Sequence, residues 1–284
     1  MTAMPPEGHH DKVSADIKDH LGRVAAEIEK FVDWTRNWRE AEPGSDLEQD
    51  RATLGFPSSA DAMLAMYFLS VADHLCAVRE LIGSDLGVPM FSPFTLLRSA
   101  HETISRILWL LAPDASSERV RRLQLCALQE RVNILKSMDD LGTHTDIEKP
   151  EWFEGEIRDL RDGVDEIHTL ICPTDCGRNA NHLLTALNIA TIVTEAHAIF
   201  DTRDRTLRTT PGGFGRAMWR IQSGVAHGHL WTNEFTVMAT PDESNTDRLE
   251  LTSNPGLLAV NLRLQMLYAK HAAWLYHDRA TASG

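Results

Sequence analysis

The sequence predicts an all-α protein: a single multi-helix, bundle-like domain with a small β-hairpin inserted before the C-terminal helix. Three observations carry that expectation. Apolar residues recur at three- and four-residue spacing through most of the chain, the period of an amphipathic helix. Proline and glycine punctuate those runs, as at Glu42-Pro-Gly-Ser45 and Pro211-Gly-Gly213. Only after Leu230 does the pattern change to alternation with period two, the signature of a half-buried strand.

Residues 1–12 read as a disordered tail, and 13–284 as the helical domain. A first helix runs from Val13 to about Arg39 on the stripe Ile17, Leu21, Val24, Ile28, Phe31 and Val32, with Trp34 and Trp38 one turn apart. The polar stretch from Ser45 to Pro57 reads as a loop, and Ser58 and Ser59 cap a second helix through Ile82. Pro93 opens a third helix that Pro113 stops, apolar nearly all round and therefore central. Ser116 and Ser117 cap a fourth, whose Arg119, Arg121, Arg122 and Arg131 read as a solvated face. A weaker helix spans 151–170 and another about 181–200. The run from Gly215 to Leu230 is helical, 232–253 forms the hairpin, and 255–279 the last helix.

At 284 residues, 43% apolar and 24% charged, the chain has the composition of a soluble globular protein. A net charge of −13 speaks against a general nucleic-acid coat or docking on anionic lipid. It leaves room for a local basic groove. The segment 201–220 holds Arg203, Arg205, Arg208, Arg216 and Arg220 against Asp201 and Asp204. The N-terminus lacks the basic and apolar regions of a signal peptide, and the apolar run Ile107–Ala112 is too short to span a membrane. Four cysteines, with Cys76 and Cys126 in apolar helical context, suggest reduced thiols and a cytoplasmic protein. No membrane partner, cofactor or metal is expected.

The chemistry concentrates in Gly215–Leu230. Arg220 and His227 are seven residues apart, near two helical turns, so they leave one face roughly 10 Å apart along the axis. Ser223 lies between them on that stripe. A cation, a hydroxyl and an imidazole in line suit a phosphate. On the third helix, Arg98 and Glu102 stand one turn apart, and two readings stay open. They form an internal salt bridge, or one of them faces the Arg220/His227 stripe and orients it.

Other chemistries fit less well. His168, Cys172, Cys176 and His182 offer zinc-type ligands, but Pro173 breaks the helix that would align them. A Cys172–Cys176 redox pair and plain loop cysteines are the other readings. His101-Glu102 lacks the second histidine of a zincin helix, since Ser105 stands there. Gly212-Gly-Phe-Gly215 follows no strand, so no dinucleotide site is read. A Ser223–His227–Glu102 hydrolase would place its nucleophile mid-helix rather than on a sharp strand–helix turn.

The segment Arg220-Ile-Gln-Ser-Gly-Val-Ala-His227 resembles the signature of the HEPN superfamily, in which a short helical core carries Arg-x₄₋₆-His on a late helix. Leu97-Arg-Ser-Ala-His-Glu102 and the Ser223…His227-Gly228 ending also look like helical bacterial proteins attached to that superfamily. The resemblance covers residues 58–230. It implies a metal-independent endoribonuclease acting as a homodimer, its paired motifs forming one cleft. His227 would be general base on a ribose 2′-hydroxyl and Arg220 would stabilise charge on the scissile phosphate. Glu102 and Ser223 would support them, with Arg98, Arg208, Arg216 and His229 binding the RNA. A toxin or phage-defence role with an antitoxin-like protein partner belongs to the same implication. One departure is Ile221, where active families favour a polar residue. The alternative is a non-catalytic helical protein that binds a ligand or partner, in which Arg220 pairs with Glu102 inside the core and His227 is structural.

Overall fold

A computed structural model describes residues 8–55, 60–84, 88–143, 150–172, 183–184, 187–203, 213–242 and 245–282. The fold is all-α. In chain order the helices are α1 (Gly8–Arg36), α2 (Asp46–Thr53), α3 (Ala60–Ile82), α4 (Ser92–Leu111), α5 (Ser116–Gly142), α6 (Phe153–Ile171) and α7 (Ile189–Arg203). There follow α8 (Phe214–Ala226), a 3-10 turn (Leu230–Thr232), the single-turn α9 (Asn233–Thr236) and α10 (Pro255–Ala280). Between α9 and α10, β1 (Val237–Asp242) pairs antiparallel with β2 (Asn245–Ser253), from Val237 opposite Ser253 to Asp242 opposite Asn245. Glu234–Thr236, read from sequence as the start of a strand, is helical. The Asn254 side chain holds that turn by donating to the Phe235 carbonyl, 2.9 Å away.

The chain divides into two compact units. One comprises Met1–Arg39, Leu64–Leu108 and Val193–Leu275; the other comprises Glu40–Met63, Trp109–Ile192 and Tyr276–Gly284. In the first, the core takes Ile28 and Phe31 from α1, with Phe68, Leu75, Phe94, Leu97 and Ile104 from α3 and α4. Trp34 meets Phe68 edge-on at 4.9 Å between ring centroids, an arrangement aromatic quadrupoles favour. By length and composition alone α3 could cross a bilayer, and its Leu64, Phe68, Val71, Leu75 and Val78 form a fully buried stripe.

In the second unit α5 and α6 pack through Leu128, Val132 and Ile167, and again through Met138, Phe153, Ile157 and Leu160. Two sequence expectations are corrected here. Residues 46–53 are helical rather than loop, because Ser45 caps them by accepting the Glu48 N–H at 3.3 Å and Leu47 enters the core. Arg119 is not on a solvated face. Its side chain is 2% exposed, and it donates from Nε to Asp50 Oδ2 at 2.6 Å and from Nη2 to Asp50 Oδ1 at 3.1 Å. Its Nη1 N–H groups reach the Pro113 and Asp114 carbonyls at 3.0 and 2.8 Å, and Nη2 also lies 3.4 Å from Asp46 Oδ2. A buried charge persists where each of its donors is met, and Arg119 satisfies that condition. Arg122 is partly buried as well, its guanidinium 4.5 Å from the Trp109 ring centroid.

Candidate functional site

Helix α8 has two chemically distinct faces. Gly215, Met218, Gln222 and Val225 repeat at three- and four-residue spacing and are buried. The opposite stripe carries Arg220, Ser223, Gly224 and His227. Each face has its own polar constellation.

The inner face ends in a buried hydrogen-bonded chain that joins α4, α7, α8 and α10. His101 Nδ1 lies 3.1 Å from Gln222 Oε1, and His101 Nε2 lies 2.8 Å from His197 Nε2. Gln222 Nε2 donates to Asn261 Oδ1 at 2.9 Å, and Asn261 Nδ2 donates to the Leu257 carbonyl at 3.0 Å. These bonds fix the tautomers by elimination. Because Gln222 donates through its nitrogen, its oxygen must accept, so His101 carries its proton on Nδ1. His101 Nε2 is then an acceptor, and His197 must donate from Nε2. His101 has no place in this scheme for a second proton, because its Nε2 accepts from His197. Burial accordingly pushes His101 down to about 4, against a smaller upward pull from the Gln222 hydrogen bond. Burial, with a smaller contribution from His101, pushes His197 down to about 3. Both are neutral at physiological pH. Tyr268, whose ring centroid is 4.6 Å from that of His197, closes the cluster.

Gly215 lets α8 approach this cluster. A Cβ there would overlap His197 Cε1 and lie 2.5 Å from both His197 Nδ1 and the Tyr268 hydroxyl. These are ring atoms held in a packed interior, so they cannot swing aside cheaply. Gly215→Ala is therefore expected to cost about 2–3 kcal/mol, the upper end for overpacking. The thermal midpoint should fall by roughly 5–8 °C. A midpoint within one degree of wild type would disprove the close approach.

The outer face bears most of the residues the sequence singled out. Arg220 is exposed on the helix, Ser223 is half-buried, and His227, Gly228 and His229 are exposed beyond it. The helix does not continue to Leu230, as the periodicity suggested, but stops at Ala226. His227 is its C-cap and Gly228 takes φ +69°, in the left-handed region that glycine enters without a Cβ penalty. Gly228 N–H donates to the Val225 carbonyl at 3.0 Å and His229 N–H to the Gly224 carbonyl at 2.8 Å. Those two bonds are the Schellman pattern. The imidazoles of His227 and His229 emerge with centroids 6.2 Å apart. Among the described residues, no side-chain hydrogen bond or ion pair holds Arg220 or His227.

Glu102 has other partners. Its Oε1 accepts from Arg98 Nε at 2.8 Å and from Trp219 Nε1 at 2.9 Å. The internal salt bridge of α4 is thus what forms, and it reaches α8 through the residue preceding Arg220. Arg216 is half-buried, its Nε shielded from solvent without a hydrogen-bond partner among the described residues. Arg208, Cys176 and His182 lie outside the described residues. His168 sits in the last turn of α6, where its carbonyl accepts from the Cys172 N–H at 2.9 Å. Among the described residues, no group of three or more His, Cys, Asp or Glu side chains could hold a metal ion.

Two features went unread in the sequence. One is the histidine–amide chain, whose signal was only the polar Gln222 and Asn261 in otherwise apolar stripes. The other is the surface after Gly228, where Leu230, Trp231, Phe235 and Met238 are exposed. Trp231 and Phe235 stand at i, i+4 with centroids 6.3 Å apart. Together the fold and these two faces define an all-α protein with a neutral histidine pair, from α4 and α7, against the inner face of α8 and an arginine–histidine edge on its outer face. No protein-family model, curated protein or solved structure matches the chain.

Proposed function

We propose that the chain is a HEPN-like, metal-independent endoribonuclease whose reacting edge is formed by Arg220, His227 and His229. The observation that carries this reading is their common exposure, Arg220 in the middle of α8 and the two histidines just beyond its C-terminal end, where the Schellman cap fixes the backbone of both. A core-forming role for Arg220 and His227 finds no such support. The buried polar work is done by His101, His197, Gln222 and Asn261.

In the proposed reaction His227 removes the proton from a ribose 2′-hydroxyl, and the oxygen attacks the adjacent phosphorus. The bond to the 5′-oxygen breaks, that oxygen takes a proton from His229, and a 2′,3′-cyclic phosphate remains. Arg220 faces the charge that builds on the non-bridging oxygens. RNA is required because only RNA carries the hydroxyl. A homodimer and a toxin or phage-defence setting with an antitoxin-like partner go with the same proposal, by analogy.

The test is cleavage of a labelled, structured RNA pool in EDTA. Wild type should cut and leave cyclic-phosphate ends, whereas His227→Ala and Arg220→Ala should each lose at least a hundredfold. Because both side chains are exposed, both variants should melt within about one degree of wild type. Absence of cutting by wild type, or cutting unaffected by either substitution, would overturn the proposal.

A further inference from the structure

We propose that Trp231 is a stacking platform for an unpaired nucleobase, which makes single-stranded RNA the substrate class of the α8 edge. This inference rests on the nuclease reading for its location but on separate observations for its content. On α8, Arg220, Gly224 and His227 follow at i, i+4 and i+7, one stripe of the helix. The 3-10 turn packs on that stripe at Gly224. A Cβ there would overlap Thr232 Cγ2 and lie 2.8 Å from Trp231 Cζ2. The absence of a side chain at Gly224 therefore lets the indole edge rest on the helix backbone, between the positions of Arg220 and His227. Thr232 is fully buried and donates to the His229 carbonyl at 2.6 Å, so the turn carrying the indole is anchored.

The indole is nevertheless 48% exposed, and Phe235 beside it is 46% exposed. A large aromatic surface on an anchored turn, open to solvent and packed at Gly224 between the helix positions of Arg220 and His227, is the composition of a base-stacking site. Every nucleobase presents a π-face, so stacking recognises unpaired nucleotides with little sequence preference. A base within a duplex is already stacked on its neighbours and cannot offer that face. The phosphate next to a base seated on Trp231 would fall beside the arginine–histidine edge.

Binding and cutting are read separately. Fluorescein-labelled single-stranded RNA of mixed sequence, and a duplex of the same sequence, are titrated with the full chain in EDTA. Fluorescence anisotropy reports wild type, Trp231→Ala, Trp231→Phe and His227→Ala. Wild type should bind the single strand at least tenfold more tightly than the duplex. Trp231→Ala should weaken single-strand binding about tenfold or more, and Trp231→Phe should recover most of the loss. His227→Ala should fail to cut and still prefer the single strand to the duplex, which reads the preference without cleavage. Melting curves show whether each variant is folded, and the phenylalanine variant keeps an aromatic ring on Gly224 if the alanine variant is not.

Equal affinity for single strand and duplex would overturn the platform. So would unchanged binding by folded Trp231→Ala, or an alanine variant that alters only the oligomeric mass measured by light scattering. If wild type binds single strands through Trp231 yet cuts nothing, the nuclease reading fails and the platform stands. If it cuts duplex and single strand alike, independently of Trp231, the platform fails and the nuclease reading stands.

Discussion

Replacing Asp50 with alanine should lower the thermal midpoint by about 10 °C, the largest effect expected from any single substitution in the unit that holds Arg119. The change removes the carboxylate that accepts both Arg119 Nε and Arg119 Nη2, while the guanidinium stays 2% exposed. Leaving one partner of a buried pair uncompensated costs about 3–5 kcal/mol. In a chain of this size each kcal/mol moves the midpoint by roughly 2–4 °C. Ser116, which also donates to Asp50, loses its acceptor in the same step. Asp46, 3.4 Å from Arg119 Nη2, is half-exposed and replaces only part of the lost interaction. The decisive comparison is the double variant Asp50→Leu with Arg119→Met, which removes both charges and fills the space with apolar atoms. It should regain most of the lost stability, because replacing a buried pair by packed apolar groups is commonly neutral or better. A drop of only a degree or two for Asp50→Ala would show that Arg119 finds a full substitute partner. A double variant as unstable as the single would show that the geometry, not the stranded charge, matters.

The second large effect is acid lability of the unit containing the histidine chain. Burial, the dominant cause, lowers His101 to about 4 and His197 to about 3, whereas both regain the ordinary value of 6.5 when unfolded. The unfolded state therefore binds more protons throughout the interval between those values. Stability rises with pH wherever that holds. The contribution is complete above about pH 6.5 and is lost progressively as the pH falls toward 3–4. Each tenfold difference in proton affinity between the folded and unfolded states is worth about 1.4 kcal/mol, so the loss between pH 7 and pH 4.5 should be on the order of 5 kcal/mol for the two rings together. Carboxylates titrate in the same range, and a variant isolates the histidines. His197→Gln removes one titrating ring while keeping a donor for His101 Nε2. Urea unfolding at pH 7, 5.5 and 4.5 should show a shallower pH slope for this variant by roughly half of the histidine contribution. Parallel slopes for the two proteins would mean that His197 does not titrate between the folded and unfolded states.

Local periodicity made the long helices legible, because one apolar stripe every 3.6 residues is a property of a short window. What escaped depended on distant partners or on end geometry. Helix α2 is short and polar, and part of what holds it lies 69 residues away in the Asp50–Arg119 pair. Its Ser45-Asp-Leu-Glu48 spacing was nevertheless a capping signal in plain sight. Arg119 looked like any helical arginine until a buried carboxylate came opposite it. On α8 the residues were legible but their arrangement was not. His227-Gly228 reads as helix by spacing, yet glycine after the last periodic residue is what ends it. Spacing alone leaves Glu102 between a salt bridge and an orienting role, and Arg98 together with Trp219 occupies it. The pairing of His101 with His197 and Gln222 spans 96 and 121 residues, and no window of sequence can anticipate it.

The tautomer-locked chain also gives the molecule an internal reporter. His101 Nδ1–H and His197 Nε2–H each sit in a buried hydrogen bond with a single acceptor. Protons so placed exchange with water only when the surrounding structure opens. In a proton spectrum they should stand apart, far downfield, as two resonances. Their decay in deuterated solvent would time the opening of one unit by itself, without a label and without perturbing α8. The same two signals would register any ligand at the outer edge that stiffens or loosens α8, whose Gln222 accepts the His101 proton.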